Sequence, residues 1–322
     1  MTEELVRQGH DVTLFASGDS QTGAHLYAGC RKALRHDEGF ADRPFADKLI
    51  PYMLMMDVLT DPSWRFDVMH FHGEYQHLPF LRWLPTTTRS LTTTHRQLDV
   101  PYMAEFLARF PEARFVSCSN SQRRPVPSLT WLKTVYNGMP TGLYSFREKR
   151  GEYLLFIGRM SPDKGPDLAI AIARRFGMPL KMVAKIGEVE RRYYEEVIEP
   201  LLSSYPDAEY LGEATDEQKN ELVGNAYALV HPVRFPEPFG LVLIEALACG
   251  TPVVAFGNGA IPEVIQHGLT GFVCADIDSA VESLRKIPEI DRRICRAEFE
   301  RRFNVSRMTQ EYLEVYQNLL SE

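Results

Sequence analysis

The sequence predicts an α/β protein built on parallel sheets, and three observations carry that prediction. Short apolar, β-branched runs alternate with helical stretches along most of the chain, the second half most clearly. At 322 residues the chain is long enough for two domains with sizeable cores. Between Gly138 and Tyr153 the text turns polar and charged (MPTGLYSFREKRGE), which marks a linker between the two.

In the first half, MTEELVRQG reads as the last turns of a helix ended by Gly9, and a strand follows over Val12–Ala16. An α/β domain normally opens on a strand, so an element usually placed first is expected to be absent. The stretch 20–64 is irregular apart from a helix over Asp47–Leu59. Strands are expected at Phe66–Phe71, at Thr86–Thr94 leading into His95, at Arg114–Ser119 and at Thr134–Tyr136, with a helix over Tyr102–Phe110. The second half is easier to divide. Strands fall at Tyr153–Ile157, Leu180–Ala184, Glu209–Leu211, Leu229–His231, Pro252–Phe256 and Phe272–Cys274. Helices fall between them at Pro166–Phe176, Arg191–Leu202, Asp216–Ala226, Ile261–His267 and Ser279–Ile287. A last helix, Arg307–Ser321, is expected to pack back on the first domain. The expected division is 1–146, 147–304 and 305–322. In a doubly wound domain of this kind, ligands lie beyond the carboxyl ends of the strands.

Composition narrows the function. A hydrophobic content of 44%, with 11% aromatic and 25% charged residues, is that of an ordinary globular protein. The net charge of −7 argues against nucleic acid or an anionic membrane as the main partner. No apolar run approaches the roughly 18 residues a membrane span needs, and the polar amino terminus is unlike a secretory signal. The five cysteines, Cys30, Cys118, Cys249, Cys274 and Cys295, are scattered without a Cys-x-x-Cys pair, which predicts reduced thiols in a cytoplasm and no zinc.

One stretch concentrates the chemistry. Glu237 to Pro252, EPFGLVLIEALACGTP, enters a run that is apolar all round and is stopped by Gly250, Thr251 and Pro252, the signature of a buried helix. Glu245 is the single charge within that run. A buried carboxylate there must be paired, protonated or turned to a lined cleft. The amino end of the helix, at Phe239, Gly240 and Leu241, presents N–H groups and the positive end of the helix dipole, which suits a phosphate. After the strand ending at Ile157 come Gly158-Arg159 and then Lys164-Gly165, two cations five residues apart on a glycine-flanked loop. Such a pair is a plausible diphosphate clamp. Two further strand ends lead to Gly212-Glu213 and through His231 to Glu237.

Glu237 and Glu245, with seven residues between them and Pro-Phe-Gly after the first, together with Gly158-Arg159 and Lys164-Gly165, resemble the family 4 retaining glycosyltransferases of the GT-B fold. GLVLIEALACGTPVVAF and IPEVIQHGLTGFV follow the family pattern closely, and the resemblance runs from about Val12 to the carboxyl terminus. It implies two Rossmann-like domains facing a central cleft, with a nucleoside-diphosphate sugar such as UDP-glucose or GDP-mannose held mostly by the second. It implies transfer of a hexose to a hydroxyl acceptor with retention, without a metal or other cofactor. Carried over, Arg159 and Lys164 neutralise the diphosphate, and the N–H groups at Phe239, Gly240 and Leu241 complete that site. Glu237 holds the donor sugar, Glu245 the ribose diol, and Gly212–Thr215 lies at the base. His95 matches the family histidine near the transferred sugar. Two of these residues have bland counterparts: Glu245 as an acid paired with a backbone group or a lysine, His95 as a satisfied core histidine. His70, His72 and His77 cluster near one strand end, but no carboxylate spacing supports a metal there. The family opens on a strand and a glycine-rich loop that this sequence lacks, so its first domain is expected to be incomplete. Two consequences are open: a nucleotide-sugar-binding protein with little or no turnover, or a homo-oligomer in which another copy fills the gap.

Overall fold

The strands of the second half form one six-stranded sheet, in which every neighbouring pair is parallel. The computed structural model describes residues 1–34, 46–61, 63–73, 75–83 and 89–322. It divides into two compact units. The first comprises Met1–Cys118, Arg123–Val135 and Val305–Glu322, and the second Ser119–Gln122 and Tyr136–Asn304. The boundary expected at 146/147 thus lies within the second unit. The polar stretch after Gly138 is anchored there because Tyr144 is buried and Arg296 donates to the carbonyls of Thr141 and Tyr144.

Among its described residues the first unit holds six strands in two parallel sheets. β1 (Thr13–Ser17) pairs with β2 (His25–Cys30), and β3 (Val68–Phe71), β4 (Arg89–Thr94), β5 (Arg114–Ser117) and β6 (Thr130–Thr134) follow one another in a second sheet. β2 falls in the stretch read as irregular, because HLYAGC is half exposed and shows no clean alternation. A cavity of about 380 Å³ is walled by Leu14 and Phe15 of β1, Leu54 and Val58 of the helix Ala46–Thr60, and Phe71 of β3. Thr86–Thr88 of the strand expected at Thr86–Thr94 lie outside the described residues. The helix expected over Tyr102–Phe110 is only Met103–Leu107, entered through Tyr102 with φ at 65°. The strand expected at Thr134–Tyr136 ends at Thr134 instead. The final helix, Val305–Ser321, presents Met308, Tyr312, Val315 and Leu319 at helical spacing to Leu91, Val116 and Val135 of this unit.

The second unit places β7 (Leu154–Arg159), β8 (Leu180–Lys185), β9 (Ala208–Tyr210), β10 (Ala228–His231), β11 (Val253–Phe256) and β12 (Gly271–Cys274) in the order β9-β8-β7-β10-β11-β12. This is the doubly wound order, in which the chain reverses direction across the sheet between β7 and β10. β10 and β11 are buried along their whole length, as strands covered on both faces must be. The helix Leu241–Cys249 lies between these two strands in sequence and buries Leu243, Ile244 and Ala246 to Cys249. It is not apolar on every side in use, since Leu241 at its amino end is 52% exposed. A helix over Arg292–Arg302 was not anticipated, because its arginine-rich sequence lacks an apolar stripe. The segment expected as one helix at Arg191–Leu202 is helical throughout but carries a wide π turn over Tyr194–Ile198. Among the described residues no helix is long and apolar enough to cross a membrane.

Candidate active site

The switch point in the second unit puts the carboxyl ends of β7 and β10 side by side, so the loops after Arg159 and His231 share one edge. The two loops are stitched together. The Arg234 N–H donates to the Asp163 carbonyl at 2.8 Å, and its guanidinium donates to the Pro162 carbonyl at 2.7 Å and to both oxygens of Asp167. Gly165 has φ at 70°, and a Cβ there would sit 2.3 Å from the Pro232 carbonyl oxygen. Only glycine allows this approach. Lys164, immediately before it, is therefore held against the β10 loop.

Lys164 Nζ donates to Glu237 Oε2 at 2.7 Å and lies 4.5 Å from the centre of the Phe235 ring. The same carboxylate oxygen is 3.3 Å from His231 Nε2. Burial alone would raise the Glu237 pKa, but the bond and charge of His231 and then those of Lys164 outweigh it and hold the group at about 2. Glu237 is fixed from behind as well. Its carbonyl accepts from the Ala260 N–H at 2.8 Å, and Gly259, with φ at 67°, packs against its backbone where a Cβ would come within 2.3 Å of the Glu237 nitrogen.

A carboxyl depressed in the folded state stabilises the fold above its unfolded pKa and loses that stabilisation as pH falls through the folded value. For Glu237 the window runs from the ordinary value of 4.5 down to about 2. It corresponds to about 3 kcal/mol. Glu237→Gln is therefore expected to flatten the acid limb of the stability profile by about one proton. Denaturant unfolding between about pH 5 and pH 2 measures this. Parallel limbs for the two proteins would contradict the assignment.

Arg159 closes the other side. Its Nη1 donates to Glu190 Oε1 at 2.9 Å and its Nη2 to Asp163 Oδ2 at 3.1 Å. Gly158 precedes it within β7. The helix Leu241–Cys249 begins after Gly240; the Leu243 N–H is bonded to the Gly240 carbonyl at 3.0 Å, and the N–H groups of Leu241 and Val242 ahead of it lie before the first helical acceptor. Phe239 is buried, and its ring stands 6.1 Å from that of Tyr136. Glu245 is paired: Lys219 Nζ donates to its Oε1 at 3.1 Å, and the Tyr144 hydroxyl is hydrogen-bonded to it. Burial first and the Glu245 charge second raise the Tyr144 pKa, so the phenol stays a donor. Gly212, with φ at 75°, accepts from the Ala184 N–H at 3.0 Å, and Glu213 beside it is exposed. Thr215 is occupied as a helix cap, its hydroxyl and N–H bonded to the backbone and side chain of Gln218.

His95 belongs to the first unit. Its Nε2 is 3.0 Å from His72 Nδ1, the rings stacked, and burial lowers the pKa of both. The neighbouring histidines are satisfied by hydroxyls: His70 by Tyr316 and Thr93, His77 by Thr92. No group of three or more histidine, cysteine or acidic side chains among the described residues is arranged to hold a metal ion.

The second unit thus gathers Arg159, Lys164 and Glu237 around one strand junction, with Glu245 on the helix that follows. Sequence reasoning missed the partners of these groups: Glu190, Asp163, Phe235, Gly259, Lys219 and Tyr144. Gly259, in the Asn-Gly after β11, carried a turn signal. The others look like surface charges or core aromatics until the fold brings them in.

Comparison with known proteins shows what the chain resembles. Residues 145–301 match the family described as glycosyl transferases group 1. A glycogen synthase of Mycobacterium tuberculosis is 26% identical over 276 residues, covering 75% of this chain and 66% of the relative. The chain therefore spans just under two thirds of that relative's length. Sucrose-phosphate synthase from Thermosynechococcus elongatus superposes with a TM-score of 0.80 at 18% identity, over 99% of this chain and 92% of that one. Anabaena HepE in complex with UDP and glucose superposes with a TM-score of 0.75 at 17% identity, over 98% and 94%. The fold is that of the GT-B glycosyltransferases. The match to glycosyl transferases group 1 falls within the second unit.

Proposed function

We propose that the chain is a retaining hexosyltransferase that moves a sugar from a nucleoside diphosphate to a hydroxyl acceptor without a metal ion. The observation that supports this best is the junction itself. Two cations, Arg159 and Lys164, stand at the switch point with Glu237, ahead of a helix whose amino end is open to an anion. Arg159 and Lys164 would neutralise the diphosphate as the glycosidic bond breaks, with the N–H groups of Phe239, Gly240 and Leu241 completing the cradle. Glu237, ionised and held at fixed orientation, would accept hydrogen bonds from sugar hydroxyls. Glu245, oriented by Lys219, would accept from the ribose diol. Gly158, Gly212 and Glu213 would border the base. His95 would act near the transferred sugar, which remains the reading drawn from resemblance. The HepE complex with UDP and glucose makes a uridine donor the first to test. All five cysteines are free thiols, in keeping with a cytoplasmic location.

A thermal-shift screen across UDP, GDP and ADP and their sugars identifies the donor, because a ligand that binds only the folded state raises its stability. Release of nucleoside diphosphate on adding acceptor then measures turnover, and the rate is expected to be unchanged by EDTA. Loss of activity in EDTA, restored by a divalent cation, would replace the metal-free mechanism. A second reading, donor binding with little or no turnover, is favoured by the division of the first unit's strands into two separate sheets. Donor binding with no product over many hours would select it.

A further inference from the structure

One contact at the proposed donor site is unexplained: both amino arms of Arg159 are engaged by carboxylates. Asp163 is four residues along the same loop, and its backbone is tied down by Arg234, so it is a fixed neighbour. Glu190 is different. It ends the turn after β8, with its N–H bonded to the Gly187 carbonyl at 3.1 Å, and reaches Arg159 from 31 residues away. Its side chain is 13% exposed against 54% for Arg159, so the acid is the more buried partner. The two amino arms are split between two acids. A diphosphate that takes both arms as a bidentate pair must displace Glu190.

We propose that Glu190 is a charge gate on the phosphate side of the donor site. Its carboxylate occupies Arg159 when the site is empty, is displaced when a diphosphate arrives, and speeds departure of the nucleoside diphosphate product by competing for the same arm. The proposal rests on the donor-site reading and adds a residue that lowers affinity rather than raising it. Because the pair is open to solvent on the arginine side, the competition is modest in size. Removing the charge of Glu190 is expected to tighten diphosphate binding by about two- to fivefold.

The test is calorimetric titration of the wild-type chain, Glu190→Gln, Arg159→Ala and the double variant. The probes are UDP, GDP and ADP, each beside its nucleoside, together with inorganic pyrophosphate. Glu190→Gln is expected to tighten the diphosphates, leave the nucleosides unchanged, and give no gain once Arg159 is removed. Glu190→Ala, with wild-type thermal unfolding as the folding control, is expected to behave in the same direction. Unchanged or weaker diphosphate binding in both Glu190 variants, with the wild type binding normally, overturns the gate and leaves the donor site standing. A gain that persists without Arg159 also overturns it. If no protein in the set binds any diphosphate, the donor-site reading falls and the gate with it.

Discussion

Lys164→Ala is expected to weaken nucleoside-diphosphate binding by about 10- to 100-fold, the equivalent of one or two hydrogen bonds made by a charged group. Three features make the effect large. The ammonium is only 18% exposed, so solvent screens it little. It is positioned by the Phe235 ring and by Glu237, so little side-chain freedom is lost when a phosphate binds. It also stands beside a loop that only Gly165 permits to approach β10 so closely. The variant has a second, separable consequence. Glu237 keeps His231 but loses Lys164, and an acid this buried with one partner fewer has a higher pKa. Lys164→Ala is therefore also expected to lose stability at neutral pH, and Glu237→Gln in the same chain to recover part of it. Titration with UDP, GDP and ADP alongside denaturant unfolding separates the two effects. Affinity within twofold of the wild type for every diphosphate would remove Lys164 from the site.

The parts of this molecule that can be read in the sequence are those whose signal is local. β10 and β11 are apolar runs bounded by turn residues, and the helix Pro166–Phe176 has proline at its first position and Gly177 at its end. Arg159, Lys164 and Glu237 are legible for the same reason, since each lies at or just beyond the end of such a strand. What is not legible depends on distance along the chain. Glu190 lies in KIGEVERR, which reads as a solvated loop, and only the pairing of β7 with β8 brings it to Arg159. Glu245 poses a visible problem as a lone acid in an apolar helix, but its answer, Lys219, lies 26 residues earlier on another helix. The first unit is harder to read because its signals are mixed. β2 is half exposed and nowhere buried, so no alternation marks it, whereas the helix Ala46–Thr60 is legible at Asp47–Leu59 although it carries Pro51 and exposes Leu49, Met53 and Met56. The histidines near β3 suggested ligand chemistry by their spacing, yet hydroxyls of Thr92, Thr93 and Tyr316 take up His70 and His77. A tally of residue types cannot distinguish these uses.

Arg292→Ala is expected to be the most destabilising single change away from the donor site. In DRRICRAEFERR an arginine reads as surface charge, but Arg292 is 3% exposed. Its guanidinium donates to four acceptors: the carbonyls of Arg147 at 2.7 Å, Ala226 at 3.0 Å and Gly224 at 2.7 Å, and the Thr251 hydroxyl at 2.7 Å. Burial lowers its pKa, the cost of holding a cation in the interior, and the ring of acceptors offsets that cost. The four acceptors belong to three pieces of the second unit's frame. Arg147 lies in the polar stretch before β7, Gly224 and Ala226 end the helix before β10, and Thr251 follows the helix that begins at Gly240. Truncation leaves buried acceptors unpaired and opens a cavity where the side chain was, together on the order of 4 kcal/mol. For a unit of this size that lowers Tm by roughly 8–16 °C. Arg292→Lys is expected to recover little, because one ammonium cannot span acceptors arranged for a planar fork. Thermal unfolding of the three proteins followed by circular dichroism measures the loss. Because the donor residues do not touch Arg292, diphosphate affinity measured well below Tm is expected to stay within about threefold of the wild type, about 0.7 kcal/mol. A Tm unchanged by Arg292→Ala would show that these carbonyls find water as readily as they find the guanidinium, and that the frame around the donor site is held by its apolar core alone.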